Sequence, residues 1–456
     1  VRRATFDLSY KHGTSFDMGQ LIPIGLEEVL PGDTFIQSGR AYIRVAPLIN
    51  PLMHRVEARI HYWYVPNRIV WASWEKFITG EETTLIPEIA ADGVYDYMGA
   101  PTGVTVSQLP VRGYNMIWNN FYRDQDLQPE VSQTDKLVKR IAWQKDYFTV
   151  ARPSPQQGDP VGIDGNIFPA YRTEQVIGNI GGNGNVERYD TATESWVSDS
   201  GGNNRAAIYV GGAPPGINID INDLRRSLAF QRMAEARAKH GSRYKDYLKF
   251  LGVNPSDGRL DLPEYLGGSK QTLSFSEVLA TAEGANTAVG DMSGHGIGIV
   301  QTPRYRRMFE EHGYVFCLLS LRPKAVYQDS VPKHFLRKEN TDYWQKEFEV
   351  LPWQAVTEQE VHKDGDPNKT FGYVPNFEEY RHGMSRVSAT LRGGTEDAWT
   401  MARQFATPPA LNGSFVECTP TDRIYSDANM PDVIVDTHQS ITARRLVAAQ
   451  AGIGGL

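Results

Sequence analysis

Hydrophobic and polar positions change period within residues 54–80, HRVEARIHYWYVPNRIVWASWEKFITG. Val56, Ala58, Ile60, Tyr62 and Tyr64 fall on one side, and Arg55, Glu57, Arg59, His61 and Trp63 on the other. A period of two predicts a strand with one buried face. Beyond Pro66, the recurrence of Val70, Trp74, Phe77 and Ile78 follows the apolar stripe of a short helix.

The same reading extends along the chain. A Pro-Gly-Asp turn at 31–33 precedes β-like alternation through Ile43 and Val45. A looser stretch over 79–113 leads to YNMIWNNFYRDQ (114–125), which reads as a short helix, and RIAWQKDYFTVARP reads as a strand. Glycine-rich runs dominate 154–216 and read as an exposed insertion with short β fragments, because a structureless loop of that length is unusual inside a compact domain. The main helical signal follows, with Asp223 as its N-cap and Leu224, Leu228, Met233 and Ala236 as its stripe. Gly241 breaks it, and Tyr244, Tyr247, Leu248 and Leu251 begin a second helix. Strands return from Gly313, in YVFCLLSLRPKAVY, KEFEVLPWQAV, RVSATLR and SFVECT. Strands at both ends suggest one β domain interrupted by a large insertion: 1–153 as the first part of the core, 154–310 as the inserted region (glycine-rich 154–216, helical 217–310), and 311–456 as the remaining strands and C-terminal segment. Two domains in series would instead require each terminal group of strands to build its own core.

Composition narrows the function classes. The 456 residues suffice for a sizeable core, with 40% hydrophobic and 22% charged residues. A net charge of −7 gives no overall basic signature, so nucleic-acid binding would need local basic patches. The two cysteines, Cys317 and Cys418, leave a disulfide between them open, but nothing suggests a disulfide-built secreted scaffold. Cys317 lies in an apolar run and reads as a packed thiol. No apolar run approaches a membrane span and no signal peptide opens the chain, so a soluble protein kept in a reducing compartment is expected. The first residue, Val1, implies N-terminal trimming or omission.

Catalytic patterns are scarce. GGSKQT (267–272) only resembles the end of a P-loop, and GNIGGNGN does not join a strand to a helix as a dinucleotide fingerprint must. Ser293 and His295 in GDMSGHG do not form a nucleophile elbow. DGDPN (364–368) has calcium-loop spacing at Asp364, Asp366 and Asn368 but carries Lys369 and Pro375 where Gly and Glu are required. Neither zinc spacing occurs. No cofactor or metal is expected. Basic knots are more suggestive: Arg2, Arg3 and Lys11; eight Lys and Arg against three acids over 223–249; PRYRRMF (303–309); and TARRLV (442–447). Each also fits an ordinary ion-paired surface.

Several blocks, in order along the chain, resemble microvirus major capsid proteins, especially the gokushovirus-like group. They are LIPIGLEEVLPGDTF (21–35), YWYVPNRIVWASWEKFITG (62–80), GSRYKDYLKFLGVNPSDGRLDLPEYLGGSKQTLSFSEV (241–278), GYVFCLLSLRP (313–323), YVPNFEEYRHGMSRVSATLR (373–392) and the Arg423–Tyr425 region. The chain departs from that pattern in 154–216 and at its end, RRLVAAQAGIGGL, where members often carry a Pro-rich basic tail.

The resemblance implies a mainly β fold: an eight-stranded viral jelly roll with large loop insertions containing short helices and β fragments. It implies a structural, non-enzymatic protein that forms pentamers and a 60-copy, T=1 icosahedral shell around a circular single-stranded DNA phage genome. Localisation would be the virion, with assembly in the bacterial host cytoplasm. Further partners would be minor capsid, scaffold or DNA-binding phage proteins and a host-surface receptor, with no membrane. An insertion between two jelly-roll strands can form a protrusion near the threefold axes, and 154–216 is the candidate. Arg2, Arg3, Lys11, Arg444 and Arg445 are the candidate nucleic-acid-facing residues. Trp71, Trp74 and Phe77 are candidate subunit-contact or core anchors. The competing classes are a jelly-roll carbohydrate-binding protein or carbohydrate-active enzyme, and a non-viral nucleic-acid-binding protein.

Overall fold

The computed structural model describes residues 3–81, 85–156, 158, 179–180, 186–190, 195–198, 221–241, 243–281, 289–290 and 292–448. The chain divides into two compact units, 1–155 with 239–456, and 156–238.

The larger unit opens with β1 (Ala4–Asp7), β2 (Tyr10–Phe16), β3 (Leu21–Val29), β4 (Thr34–Val45) and β5 (Val56–Pro66). Helices α1 (Asn67–Val70) and α2 (Trp74–Thr79) follow, then the small hairpin of β6 (Glu88–Ala90) and β7 (Thr105–Ser107) with α3 (Val94–Tyr97) between its strands. Helix α4 (Leu109–Ile117) continues as one π-helical turn over Trp118–Tyr122. In the smaller unit, β8 (Asn179–Ile180), β9 (Val186–Asp190) and β10 (Ser195–Ser198) form a three-stranded antiparallel sheet. Helix α5 (Ile221–His240) enters the larger unit at its end, and α6 (Tyr244–Phe250) lies in that unit. The strands then resume as β11 (Glu264–Thr272), β12 (Ser274–Leu279), β13 (Met292–Gln301), β14 (Tyr305–Met308) and β15 (Gly313–Pro323). The chain continues through a β16 (Trp353–Thr357)/β17 (Thr370–Pro375) pair to β18 (Val433–Arg445).

Two large antiparallel sheets build the core. One has the order β11-β5-β15-β3. The other has seven strands on the path β1-β18-β4-β13-β12, with β2 also paired to β18 and β14 to β4. β1 and β2 lie end to end along β18, as β14 and β13 do along β4, so the second sheet has five strand positions. The fold is mainly β, as expected for a jelly roll with insertions. Broken strands are why a plain count of eight does not describe these sheets.

The inward faces follow from the period of two. Phe35, Ala41, Ile43 and Val45 of β4 and Val433, Val435, Ile441 and Ala443 of β18 meet Val56, Ala58, Ile60, Tyr62 and Tyr64 of β5 in one apolar core. The expected single buried face of β5 is only half of what occurs. Its other face, with Glu57, Trp63 and Val65 buried and Arg59 and His61 half-buried, lies under a second layer. Trp74, Tyr95, Tyr114, Ile117, Trp118, Trp143 and Phe148 form that second core with Trp63 and Val65. Such aromatic residues bury large areas, which accounts for covering a strand face that reads as polar.

Several local readings change. The 140–153 segment is a series of turns with isolated bridges at Arg140, Ala142 and Arg152. RVSATLR contains a 3₁₀ turn at Ala389–Leu391, and SFVECT a short helix at Gly413–Val416 in which Asn412 Oδ1 caps Phe415 N–H at 3.0 Å. The main helix begins at Ile221, two residues before the expected cap. Strands also resume at Glu264 and not at Gly313. β11 to β14 join the two large sheets, although their glycines obscure the alternation. Gly267 shows why glycine is used there: it has φ of 147° at a register shift between Tyr265 and its neighbour in β11.

Candidate nucleic-acid interface

The solvent face of the seven-stranded sheet is set by the alternation that buries its other face. In β4, Ile36, Arg40 and Arg44 are exposed between buried Phe35, Gln37, Ala41, Ile43 and Val45. In β18, Ile434, Asp436, His438, Thr442 and Arg444 are exposed between buried neighbours.

Strand pairing aligns these positions into rows. Lys11 of β2 lies opposite His438, which lies opposite Arg40, which lies opposite Gln301. Arg40 Nη2 donates to Gln301 Oε1 at 3.2 Å. A strand spacing of about 4.8 Å puts Lys11 and Arg40 roughly 10 Å apart across the sheet. The next rows bring Gly13, Asp436, Tyr42 and Ile299 together, then Ser15, Ile434, Arg44 and Ile297. The Arg44 guanidinium lies 6.0 Å from the Tyr42 ring centroid. Toward the other end, Arg306 of β14 faces Ile36, and Arg444 lies between Thr5 and Thr34.

Lys11, Arg40, Arg44, Arg306 and Arg444 are therefore exposed on one face, where the exposed carboxylates of the paired β1, β2, β18 and β4 rows are Asp7 and Asp436. Hydrogen bonds from Ser9 stabilise ionised Asp7 and lower its pKa. Exposed Ile299 and Ile434 add apolar surface among the cations. The face has the charge and the flat, regular spacing to contact a polyanion.

The sequence candidates fall in different settings. Lys11 and Arg444 belong to this face. Arg3 is half-buried near the 31–33 turn, where a Cβ on Gly32 would lie 3.2 Å from its Nη2. Arg2 lies outside the described residues. Arg445 points to the other side of β18: its Nε donates to Asp33 Oδ2 at 2.9 Å, and its guanidinium lies 5.4 Å from the Phe35 ring centroid. Arg40, Arg44 and His438 were not singled out from sequence, although the alternation in RAYIRV and DTHQSITAR placed them on the polar side of their strands.

Trp71, Trp74 and Phe77 form one aromatic cluster. Ring centroids are 6.4 Å apart for Trp71–Trp74, 5.4 Å for Trp71–Phe77 and 5.8 Å for Trp74–Phe77. Trp74 is buried in the second core and also contacts His312 at 5.5 Å. Trp71 and Phe77 pack against that core but remain half-buried, beside exposed Ile78.

Cys317 and Cys418 are both buried free thiols, and burial pushes each up to about 12. His295 is within 3.2 Å of Ser276 Oγ across β12 and β13, in an exposed strand pair. Among the described residues, no helix is long and apolar enough to cross a membrane.

Comparison with known proteins agrees with this architecture. The family model described as Capsid protein (F protein) matches residues 1–452. Capsid protein VP1 of Chlamydia phage 1 is 29% identical over an alignment covering 96% of this chain and 93% of the relative. Capsid protein VP1 of Bdellovibrio phage phiMH2K is 29% identical, with 95% and 92% covered. That of Spiroplasma virus 4 is 25% identical, with 91% and 88% covered. From a match that spans nearly every residue, and two β-sheets that fit it, the chain belongs to the F-protein family of microvirus major capsid proteins.

Proposed function

We propose that this chain self-associates through pentamers into a closed 60-copy shell that encloses a single-stranded DNA genome. The observation that carries the reading is the cationic solvent face built by Lys11, Arg40, Arg44, Arg306 and Arg444 on a chain with a net charge of −7. A shell protein needs positive charge only where it meets phosphates, and such contacts are largely independent of base sequence. Lys11, Arg444 and Arg3 would meet the genome, together with Arg2. Arg445 would contribute mainly by holding β18 to the 31–33 turn.

The partly covered Trp71 and Phe77 suit a contact with a neighbouring subunit, because aromatic residues anchor such interfaces. Closed symmetry requires several different patches on each copy. Residues within 154–310 would supply some of them, and the 154–216 segment would project near the threefold axes and meet a host-surface receptor. Minor capsid, scaffold or DNA-binding phage proteins would act during assembly in the host cytoplasm, and the finished protein would reside in the virion. The role is structural and not catalytic.

Sedimentation velocity of the purified chain, read at the nucleic-acid and protein absorbance maxima, tests the proposal. The expected result is a pentamer of about 255 kDa, five copies of 51.1 kDa, or a complete particle with co-sedimenting DNA. A protein that stays monomeric at every concentration, with its phage partners supplied, would overturn it.

A further inference from the structure

The outer face of the β11-β5-β15-β3 sheet borders a cavity of about 540 Å³ within the larger unit. Its floor is Arg59 and His61 of β5 with Ser320 and Arg322 of β15. Its walls come from residues 121–126, at the end of the π-helical turn and beyond, and from residues 141–145, and Lys239, His240, Gly241, Arg243 and Asp246 complete it. The volume lies in the range of small-molecule sites.

Charge in this cavity is unbalanced. Seven Lys and Arg side chains line it, against three carboxylates, although one of the seven, Arg123, pairs with Glu130 at 2.9 Å. Two of those carboxylates are engaged on one side, where Asp124 pairs with Lys145 and Arg152, and Asp126 pairs with Arg152 at 2.8 Å. On the floor, both Glu57 oxygens are engaged, by Arg55 at 3.0 Å and Arg59 at 2.8 Å. Among the described residues, no carboxylate lies within 4.0 Å of Arg322, and its Nη1 reaches only the Ala142 carbonyl at 3.4 Å.

Two buried donors also lack partners. Arg59 Nε and Trp143 Nε1 are covered and make no hydrogen bond. A buried donor left in this state is costly unless a ligand or water satisfies it. His61 adds no charge. Burial, with Arg59 and Arg322 nearby, pushes its pKa down to about 4, and a hydrogen bond of 2.7 Å joins its Nδ1 to Tyr122 Oη. Tyr122 Oη in turn accepts from Trp63 Nε1 at 3.2 Å, so the aromatic wall is held in place.

We propose that this cavity binds a phosphate ester of nucleotide size, with the phosphate between Arg59 and Arg322 and the ring against the aromatic side chains of Phe121, Tyr122 and Trp143. Paired guanidinium forks match the several acceptors of a phosphate. A single carboxylate would leave more of the charge surplus unbalanced. The volume exceeds that of a bare phosphate, and aromatic walls suit a planar base. The inference does not rest on shell assembly. A free nucleotide and one nucleotide of a strand present the same chemistry.

Isothermal titration of the full chain with dAMP, inorganic phosphate and a short oligothymidylate, at matched ionic strength and with acetate as comparator, tests it. Saturable binding of at least one phosphate probe is expected. Loss of one charge-assisted contact in Arg322→Met should weaken it about ten- to a hundredfold. Lys338→Ala, at an exposed residue that does not line the cavity, should leave it unchanged. Competition by dAMP identifies a free-nucleotide site, whereas oligothymidylate binding that Arg322→Met weakens, without binding of dAMP, assigns the phosphate to a strand. Trp143→Phe, which removes the orphaned donor and keeps a ring, repeats the test should Arg322→Met fold poorly. No saturable binding of any phosphate probe, equal binding of acetate, or affinity unchanged in both variants would overturn the proposal.

Discussion

The Tyr62 hydroxyl donates to Oε1 of Gln439 at 3.0 Å, a contact that crosses from one large sheet to the other through the core. Gln439 Nε2 reaches Cys317 Sγ at 3.3 Å, and Tyr305 Oη donates to Gln37 Oε1 at 2.6 Å. Gln37 and Gln439 are both fully buried, and their amides serve core hydrogen bonds and not solvent, Gln439 across to the other sheet and Gln37 to β14 within its own. Between them, Gly39 leaves no space for a side chain: a Cβ there would lie 2.4 Å from Tyr62 Oη and 2.8 Å from Gln439 Oε1. Tyr62→Phe should therefore cost about 1–3 kcal/mol by leaving Gln439 short of a donor. Gly39→Ala should cost more in the parent than in the Tyr62→Phe background, where the clashing oxygen is gone. Urea denaturation of the two single variants and the double variant measures this coupling.

Arg445 and Asp33 make a second test. Asp33 is fully buried, and its Oδ2 accepts from both Arg445 Nε at 2.9 Å and Leu30 N–H at 3.0 Å. Removing one partner of a buried pair leaves an uncompensated charge, so Arg445→Met should destabilise by about 3–5 kcal/mol. The Asp33→Asn/Arg445→Met double variant should recover part of that loss, read as a shift in denaturation midpoint. Equal losses in the single and double variants would refute the pairing.

Asp432 predicts a pH dependence. Burial pushes its carboxyl up to about 6, against the opposing effect of the Met18 N–H that donates to it at 2.7 Å, and Asp17 and Asp422 add to the rise. A raised carboxyl pKa means that the folded chain holds a proton that the unfolded chain has released. Stability contributed by this group is thus full below about pH 4 and falls as pH rises to about 6. At about 1.4 kcal/mol per unit, the loss is on the order of 2–3 kcal/mol. Asp432→Asn removes the titration, so the stability of the parent relative to this variant should fall between pH 4 and pH 7 in thermal melts. A constant difference would refute the assignment.

The exposed cationic rows predict a salt signature. Each phosphate contact to single-stranded nucleic acid contributes about 0.7 to the slope of log affinity against log salt. Lys11→Ala, Arg40→Ala and Arg444→Ala together should flatten that slope by about 2 for a polythymidine strand, with melting unchanged. Fluorescence anisotropy across a salt series gives the slope, and a slope equal to that of the parent would exclude this face.

The cluster around helix α2 allows core packing to be separated from the proposed subunit contact. Trp74→Ala should destabilise the chain by about 3–5 kcal/mol, since it empties space in the second core. Trp71→Ala and Phe77→Ala remove half-exposed rings and should cost less in chain stability while reducing particle yield. Comparison of melting with sedimentation distinguishes the two effects.

Much of the fold was legible because period-two alternation survives in β4, β5 and β18, where Ile, Val, Tyr and Phe mark one face. It failed in β13, whose MSGHGIGIVQ places glycines at Gly294, Gly296 and Gly298 where inward side chains would advertise a strand. Those positions are small because Pro51 backbone, Phe275 and Leu273 fill the space, a packing fact that one chain segment does not display. The basic knots at Lys11 and Arg444 were visible as local composition. Their union with Arg40 was not, because it depends on a register that joins residues some 400 positions apart. Arg445 shows the converse: it is adjacent to Arg444 in sequence, and the pleat sends it to the opposite face, where Asp33 takes its charge.

The pairing of β18 with β1, β2 and β4 also sets an order in time. β4 is complete once Val45 has been made, yet the edge that receives β18 stays open until residues 433–445 follow. A ribosome adding roughly 5–20 residues each second leaves that edge unpaired for tens of seconds. During this interval the amides of β4 are available to any extended chain, including a neighbouring nascent copy. A chain that stopped short of Val433 would never close the edge and would keep its β4 amides open to such pairing. Completion of the sandwich is thus tied to completion of synthesis, through the backbone hydrogen bonds of β18.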